Sequence, residues 1–182
     1  MTPSATATHS RSSTWIAGII LLYGLISLGS LLLAARPGQV ATLWFANPVG
    51  TVALLAIPLR QWPAMLAGLG LANLLANVSA SAPSQGLGAL AWQSAAAFVP
   101  GNCAEMALAA LLLARAGIRA QDLQHPARLA MLLGVGALLP TLLSALAGAA
   151  LVANAEPSAF ARVWATWFAG SLIGSVAVLP LA

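Results

Sequence analysis

Charge is what this chain has least of: seven arginines, three acids and no lysine are spread over 182 residues, of which 60% are hydrophobic. A water-soluble domain carries roughly a quarter charged residues, so an ordinary soluble globular protein is excluded. The single cysteine, Cys103, excludes an internal disulfide and leaves the redox compartment undetermined. Two histidines and three widely separated acids, with no Cys/His cluster at zinc-ligand spacing and no glycine-rich phosphate loop, leave no metal site and no catalytic constellation. The segment therefore reads as non-enzymatic, with its cofactor unknown. The arginines stand one or two at a time at the ends of apolar runs, without the aromatic interleaving that tracks phosphates, so nucleic acid is not an expected partner.

What the chain has instead is long apolar runs. A hydrocarbon core of about 30 Å takes roughly 20 helical residues to cross. The pattern predicts an all-α integral membrane protein with about six transmembrane helices, some broken near the bilayer midplane, and the lipid bilayer as its first partner. Residues 1–14, rich in Ser and Thr, predict a disordered cytoplasmic tail, and residues 15–182 a single polytopic domain. Trp15 to Ala35 is too long for a signal peptide and lacks a small-x-small cleavage site, so it is a retained first span. The second segment, Val40 to Leu59, contains Asn47-Pro48, a cap followed by proline at the first helical position, which predicts a helix beginning at Pro48. Span three runs from Ala64 to Val78 and ends in a polar loop, Ser79 to Gln85.

Gly86 to Arg115 would measure on the order of 45 Å as one straight helix, so Pro100-Gly101 predicts a break. Ala116 to Ala127 reads as an aqueous loop, with His125 a solvated side chain. Spans five and six are Arg128 to Val152 and Phe160 to Leu181. Glycines at 134, 136, 148, 170 and 174 permit close helix packing. Trp44, Trp62, Trp92, Trp164 and Trp167 are expected mostly as interfacial anchors. With Arg11, Arg60, Arg115, Arg119 and Arg128 on one side against Arg36 and Arg162 on the other, the positive-inside rule predicts both termini in the cytoplasm.

Glu105 is the one acid in the apolar run from Gly86 to Leu113. An intramembrane carboxyl group is costly and is paired, protonated or functional. Helical rise places it roughly 15 Å from Arg115, with Asn47, Asn73 and Ser171 at comparable depths. Asn102 and Glu105 have the spacing of a capping box, so two helices, at Pro48 and at Asn102, are expected to start inside the membrane and aim positive dipole ends at a shared interior site. The candidate ligand-binding set is Asn47, Asn73, Asn77, Asn102, Glu105 and Ser171. A structural alternative stands beside it: Glu105 satisfying the Asn102 N–H, and Asn73 and Asn77 acting as interhelical hydrogen bonders.

Four stretches resemble a known family. They are Leu43-Trp44-Phe45-Ala46-Asn47-Pro48; Trp62-Pro63 with Gly68 and Leu71-Ala72-Asn73-Leu74; Gly101-Asn102 with Glu105 and Leu111-Leu112-Leu113; and Trp167 to Gly174 with Leu179-Pro180-Leu181. Together they resemble the first type of bacterial membrane-associated sensor domain (MASE), over the front part of that domain. Ser171 stands where that family usually has an acid, and Phe45-Ala46 where it has two prolines. The resemblance implies a sensory input domain of the bacterial cytoplasmic (inner) membrane, incomplete at its C-terminal end. It implies an unknown small ligand and, in cis, a cytoplasmic diguanylate cyclase, phosphodiesterase or histidine kinase output module, read out through a homodimer. The competing class is a small-molecule transporter or its membrane substrate-binding component.

Overall fold

The computed structural model describes residues 5–34, 41–117, 124–152 and 159–181, and all elements among these are helical. They are α1 (Ala5–Ala34), α2 (Ala46–Leu55), α3 (Trp62–Gln85), α4 (Ala89–Ala116), α5 (Pro126–Met131), a π-helical turn (Leu132–Leu138), α6 (Leu139–Val152) and α7 (Phe160–Val178). Short 3-10 turns precede α3 and follow α7. Five helical stretches are long and apolar enough to cross a membrane, and α2 is a shorter apolar helix. This is an all-α, multi-pass membrane architecture.

The ten residues of α2 span only about 15 Å, half a hydrocarbon core. The direction of packing shows how the chain nevertheless alternates. Gly24 of α1 faces Ala72 of α3, and Gly68 of α3 faces Ile20 of α1. The residue numbers rise together, so α1 and α3 are parallel. Asn47 and Gly50 of α2 meet Asn102 and Met106 of α4, again rising together. Gly101 and Glu105 of α4 face Ser144 of α6, while Leu113 meets Gly136 beyond α6's start, so these two run opposite. Between parallel α1 and α3 the chain must return, and it does so partly as non-helical backbone and partly as α2. The first residue of α1 and the last of α7 therefore lie on the same side of the bundle.

The non-helical part of that return, residues 41–45, is seated on α7. The Trp44 N–H donates to the Gly170 carbonyl at 3.2 Å. A Cβ added to Gly170 would lie 2.8 Å from the Ala41 carbonyl oxygen, and one added to Gly174 would strike the Trp44 carbonyl. The two glycines thus form a channel for backbone, which is how irregular chain survives at membrane depth: buried against protein rather than lipid. Gly170 lies near the middle of α7, so α2 starts partway through the bundle, as expected. Its cap position is Phe45, however, not Asn47, and no side chain caps it. Asn47 and Pro48 fall within the first turn, where a missing proline N–H costs no helical bond. At the other end, Trp62 Nε1–H donates to the Leu54 carbonyl at 2.8 Å, which also accepts from the Ile57 N–H at 3.3 Å, so the end of α2 is tied to the start of α3.

Several expectations are corrected. The first helix begins at Ala5, so it takes in most of the stretch expected as a tail. The Ser79–Gln85 loop is helical, because α3 runs on through Pro83 to Gly86, whose positive φ closes it. The break at Pro100-Gly101 does not occur: α4 is one helix with Pro100 inside it. A proline removes one hydrogen bond to the carbonyl four residues back, which membrane helices tolerate when neighbours or local adjustment make up for it. Asn102 is consequently not a cap, and no half-helix begins there. Trp44 and Trp167 are buried rather than interfacial. His125 is exposed at the start of α5. Arg36, Arg119, Asp122 and Glu156 lie outside the described residues.

The π-helical turn has a local cause. Pro140 has no N–H for the Gly136 carbonyl, and its ring crowds that oxygen. The helix widens ahead of it, and Leu139 N–H bonds five residues back to Gly134. The extra residue per turn resets the register of everything after it, including Thr141 and Ser144.

Candidate functional site

The polar side chains of the membrane-spanning segments collect in one place. α4 is the hub, packing on α2, α3, α6 and the π turn, and it presents Asn102 and Glu105 one helical turn apart. Asn47, Asn73, Asn102, Glu105 and Ser171 are each at most 4% exposed; Asn77 is half-buried. The six candidates come from α2, α3, α4 and α7, and all six fall in this cluster.

Four of them form a directed chain of amides. Tyr23 Oη of α1 donates to Asn47 Oδ1 at 3.3 Å, Asn47 Nδ2 donates to Asn102 Oδ1 at 2.9 Å, and Asn102 Nδ2 donates to Asn73 Oδ1 at 3.3 Å. Asn77 Nδ2 donates to the Asn73 backbone carbonyl at 2.9 Å and to Asn73 Oδ1 at 3.4 Å. Thr51 Oγ1 closes back on the Asn47 carbonyl within α2 at 3.0 Å. An amide donates and accepts at once, so a run of asparagines on three helices, joined by Tyr23 of a fourth, links them without any charge. Asn73 serves as an interhelical hydrogen bonder, whereas both Asn77 bonds stay within α3 and make Asn77 the end of the chain.

Glu105 occupies the other lobe. Ser144 Oγ of α6 lies 2.5 Å from Glu105 Oε2 and 3.2 Å from the Thr141 carbonyl oxygen. Asn47, Ser171 and Thr141 side chains also face the carboxyl group. The capping-box bond from Glu105 to its own helix start is not made, because α4 has no start there.

By distance and angle neither lobe closes fully, although the Thr141 and Ser171 hydroxyls face the Glu105 carboxyl group. Among the described residues, Asn73 Nδ2, Glu105 Oε1, Thr141 Oγ1, Ser171 Oγ and Trp44 Nε1 are buried with no hydrogen-bond partner. Two recesses adjoin these atoms. One, about 30 Å³, lies among Trp44, Asn77, Phe98, Asn102, Trp167 and Ser171. The other, about 260 Å³, lies between α4 and α6 and has Glu105 and Ser144 as its polar members. Trp167 lines the first, and Gly101, over which it packs, lines the second. Its indole fills space over Gly101 of α4 and Gly148 of α6, where any Cβ would meet it, and its ring lies 5.5 Å from that of Phe98.

Sequence reasoning missed Tyr23, Ser27, Thr141 and Ser144. Tyr23 is the only tyrosine of the chain, with Ser27 one turn on and Ser30 the other polar side chain of that span. Thr141 and Ser144 are three apart after Pro140, the spacing of one helix face. Those signals were present but carry little weight singly, since hydroxyls are common in membrane helices.

Comparison with protein-family models, with curated proteins and with solved structures gives no match to this chain. The resemblance to bacterial membrane-associated sensor domains rests on the residues quoted for it.

Proposed function

We propose that this chain is a membrane-embedded sensory input domain in which a small polar ligand, recognised by the Asn47–Asn73–Asn102–Glu105–Ser171 cluster, biases the position of α7 and so regulates a cytoplasmic module on its C-terminal side. The observation that carries the reading is the set of buried donors and acceptors left without partners in a site shared by six helices. A network serving packing alone is expected to close, because each unmet buried polar group costs roughly 1–3 kcal/mol.

Geometry supports sensing over a passive anchor. The space beside Asn102 and Ser171 is about 30 Å³, room for little more than a water-sized group. Admitting anything larger shifts α7 against α4 and residues 41–45, which line the space with it, and α7 carries both Ser171 and the glycine channel that holds residues 41–45. Ligand binding and movement of the last helix are then one event, a population shift between two packings. Placing the shared side of the two termini in the cytoplasm of a bacterial inner membrane belongs to this proposal, on the arginine distribution.

The test is made in the full-length gene product. A cyclase, phosphodiesterase or kinase module following Ala182, with an output that changes in Glu105→Gln and Ser171→Ala variants that still insert and fold, is the expected result. Unchanged output in both variants reduces the domain to an anchor. No such module, together with accumulation of small polar solutes in vesicles carrying the protein, assigns it to transport.

A further inference from the structure

Heights read from packing contacts set the exposed arginines at two levels. Asn73 of α3 and Asn102 of α4 are hydrogen-bonded, and from that bond α3 traced backward and α4 traced forward lead to the same end of the bundle. Arg115 lies thirteen residues along α4 from Asn102, about 20 Å. Arg60 lies eleven residues of α3 and two of the preceding 3-10 turn (Leu59–Gln61) from Asn73, again about 20 Å. Trp167 packs over Gly101, so Leu181 and Arg115, each fourteen residues or about 21 Å on, share that level. Two indoles mark it: Trp62 follows Arg60 closely, and Trp15 of α1 is level with Pro63, because Ile20 faces Gly68. Arg162 lies five residues from Trp167 in the other direction, about 7.5 Å. The two levels are then about 28.5 Å apart, the thickness of a hydrocarbon core. Arg60, Arg115 and Arg162 are all exposed, and they stand where lipid tails give way to headgroups.

We propose that the edge carrying Arg60 and Arg115 is a docking surface for anionic phospholipid, whose headgroup phosphates pair with these two guanidinium groups. A guanidinium fork matches phosphate through two parallel N–H bonds, and phosphates begin at the rim of the hydrocarbon. The choice of an anionic lipid rests on charge balance. Glu105 is the only acid among the described residues, and it lies ten residues from Arg115, about 15 Å into the bilayer. Residues 118–123 carry one charge of each sign, Arg119 and Asp122, and leave the balance unchanged. The edge therefore keeps a positive charge that the choline of a zwitterionic lipid opposes and an anionic lipid neutralises. Leu55 and Leu59, both exposed, offer the acyl chains an apolar surface beside Arg60. Arg128 takes less part. Leu113 meets Gly136, and counting from that contact puts Arg128 about 9 Å farther out than Arg115, past the 5–8 Å or so of a headgroup layer. This surface is separate from the amide cluster and stands whether or not the cluster senses anything.

The experiment reconstitutes the whole chain in nanodiscs of phosphatidylglycerol and phosphatidylcholine in equal parts, then transfers it to dilute maltoside detergent and counts the lipids that stay bound by mass spectrometry. The expected result is retention of phosphatidylglycerol over phosphatidylcholine by about ten-fold or more. Arg60→Gln and Arg115→Gln each lower that preference about five-fold, the factor that one arginine near an anionic surface commands. Both positions are exposed, where substitutions leave the fold intact. Arg162→Gln at the opposite edge and Arg128→Gln farther out change the preference less than about two-fold. Excess inorganic phosphate leaves it unchanged, because a free phosphate brings no acyl chains to the edge. Equal retention of the two lipids overturns the proposal. So does a loss in Arg162→Gln or Arg128→Gln as large as in Arg60→Gln, which makes the attraction diffuse. Displacement of the bound lipid by inorganic phosphate overturns the choice of a lipid and assigns the two arginines to a soluble anion.

Discussion

Asn102→Ala removes the centre of the amide chain. Asn102 accepts from Asn47 at 2.9 Å and donates to Asn73 at 3.3 Å, and its side chain is 4% exposed. The substitution leaves Asn47 Nδ2 without its acceptor. Asn73 Oδ1 keeps the Asn77 amide at 3.4 Å, so one group is orphaned and a second is weakened. Orphaning a buried polar group in a soluble protein costs about 1–3 kcal/mol. In lipid, interhelical hydrogen bonds average about 0.6 kcal/mol with a maximum near 1.7, because the unfolded helices also find partners. Two such bonds, plus the small void left by a carboxamide, give a loss of about 1–3 kcal/mol. Asn77→Ala is the control. It sits at the end of the chain, half-buried, and orphans neither Asn47 nor Asn102, so its loss is about 0.5 kcal/mol or less. The assay is reversible unfolding in mixed micelles titrated with sodium dodecyl sulfate, followed by tryptophan emission, with Asn47→Ala combined with Asn102→Ala to measure coupling. If Asn102→Ala and Asn77→Ala cost the same, or if the double substitution is additive, the side chains do not act as a connected chain and the account given of the site fails.

Four further substitutions test other links in the same assay or by amide exchange. Gly174→Ala drives a methyl group into the Trp44 carbonyl and is expected to cost more than about 2 kcal/mol, at the upper end of ordinary overpacking. By contrast, Gly29→Ala, where a Cβ meets nothing within 4 Å, is expected to be neutral or to stabilise by up to about 1 kcal/mol from helix propensity. Trp62→Phe deletes the bond to the Leu54 carbonyl; it should cost about 1 kcal/mol and speed amide exchange at Ala56 and Ile57 while leaving α4 protected. Pro140→Ala is a test of sign. Propensity alone favours it by up to about 3 kcal/mol, but closing the π turn rotates Thr141 and Ser144 away from Glu105, so a net destabilisation is expected.

The sequence made some of this legible and hid the rest for identifiable reasons. Helix type and membrane residence follow from apolar run length, and the polar cluster follows from depth counted along each run, because a rise of about 1.5 Å per residue converts sequence offset directly into height. That arithmetic put Asn47, Asn73, Glu105 and Ser171 at one level. It cannot give azimuth, the direction a side chain points around its helix. Tyr23 and Ser144 were missed on that account, since height without azimuth does not select them from other polar residues in apolar spans. Pro100-Gly101 misled because a proline's local cost is the same whether or not the helix continues. The outcome depends on whether neighbouring helices hold the two halves in line, and α4, packed on three other helices, is held. Pro140 worked the other way: it left its helix continuous but changed its pitch, and no residue count shows a π turn.

One further step joins the two recesses. Trp167 fits because both helices it touches lack a Cβ there, at Gly101 and at Gly148. Its indole lines the narrow space at Asn102 and Ser171 and packs over Gly101, a residue that lines the recess at Glu105. α4 carries a wall of each: Phe98 and Asn102 line one, Gly101 and Glu105 the other, on stripes offset by one position around the same helix. A rigid helix cannot move one stripe without the other. Anything that spreads α4 from α6 on the lipid side therefore presses or releases Trp167, and Trp167 lies one turn from the Ser171 level of α7. The glycines at 101 and 148 are thus not general lubricants for helix packing; they make the seat of an aromatic ring of the last helix that packs on both α4 and α6.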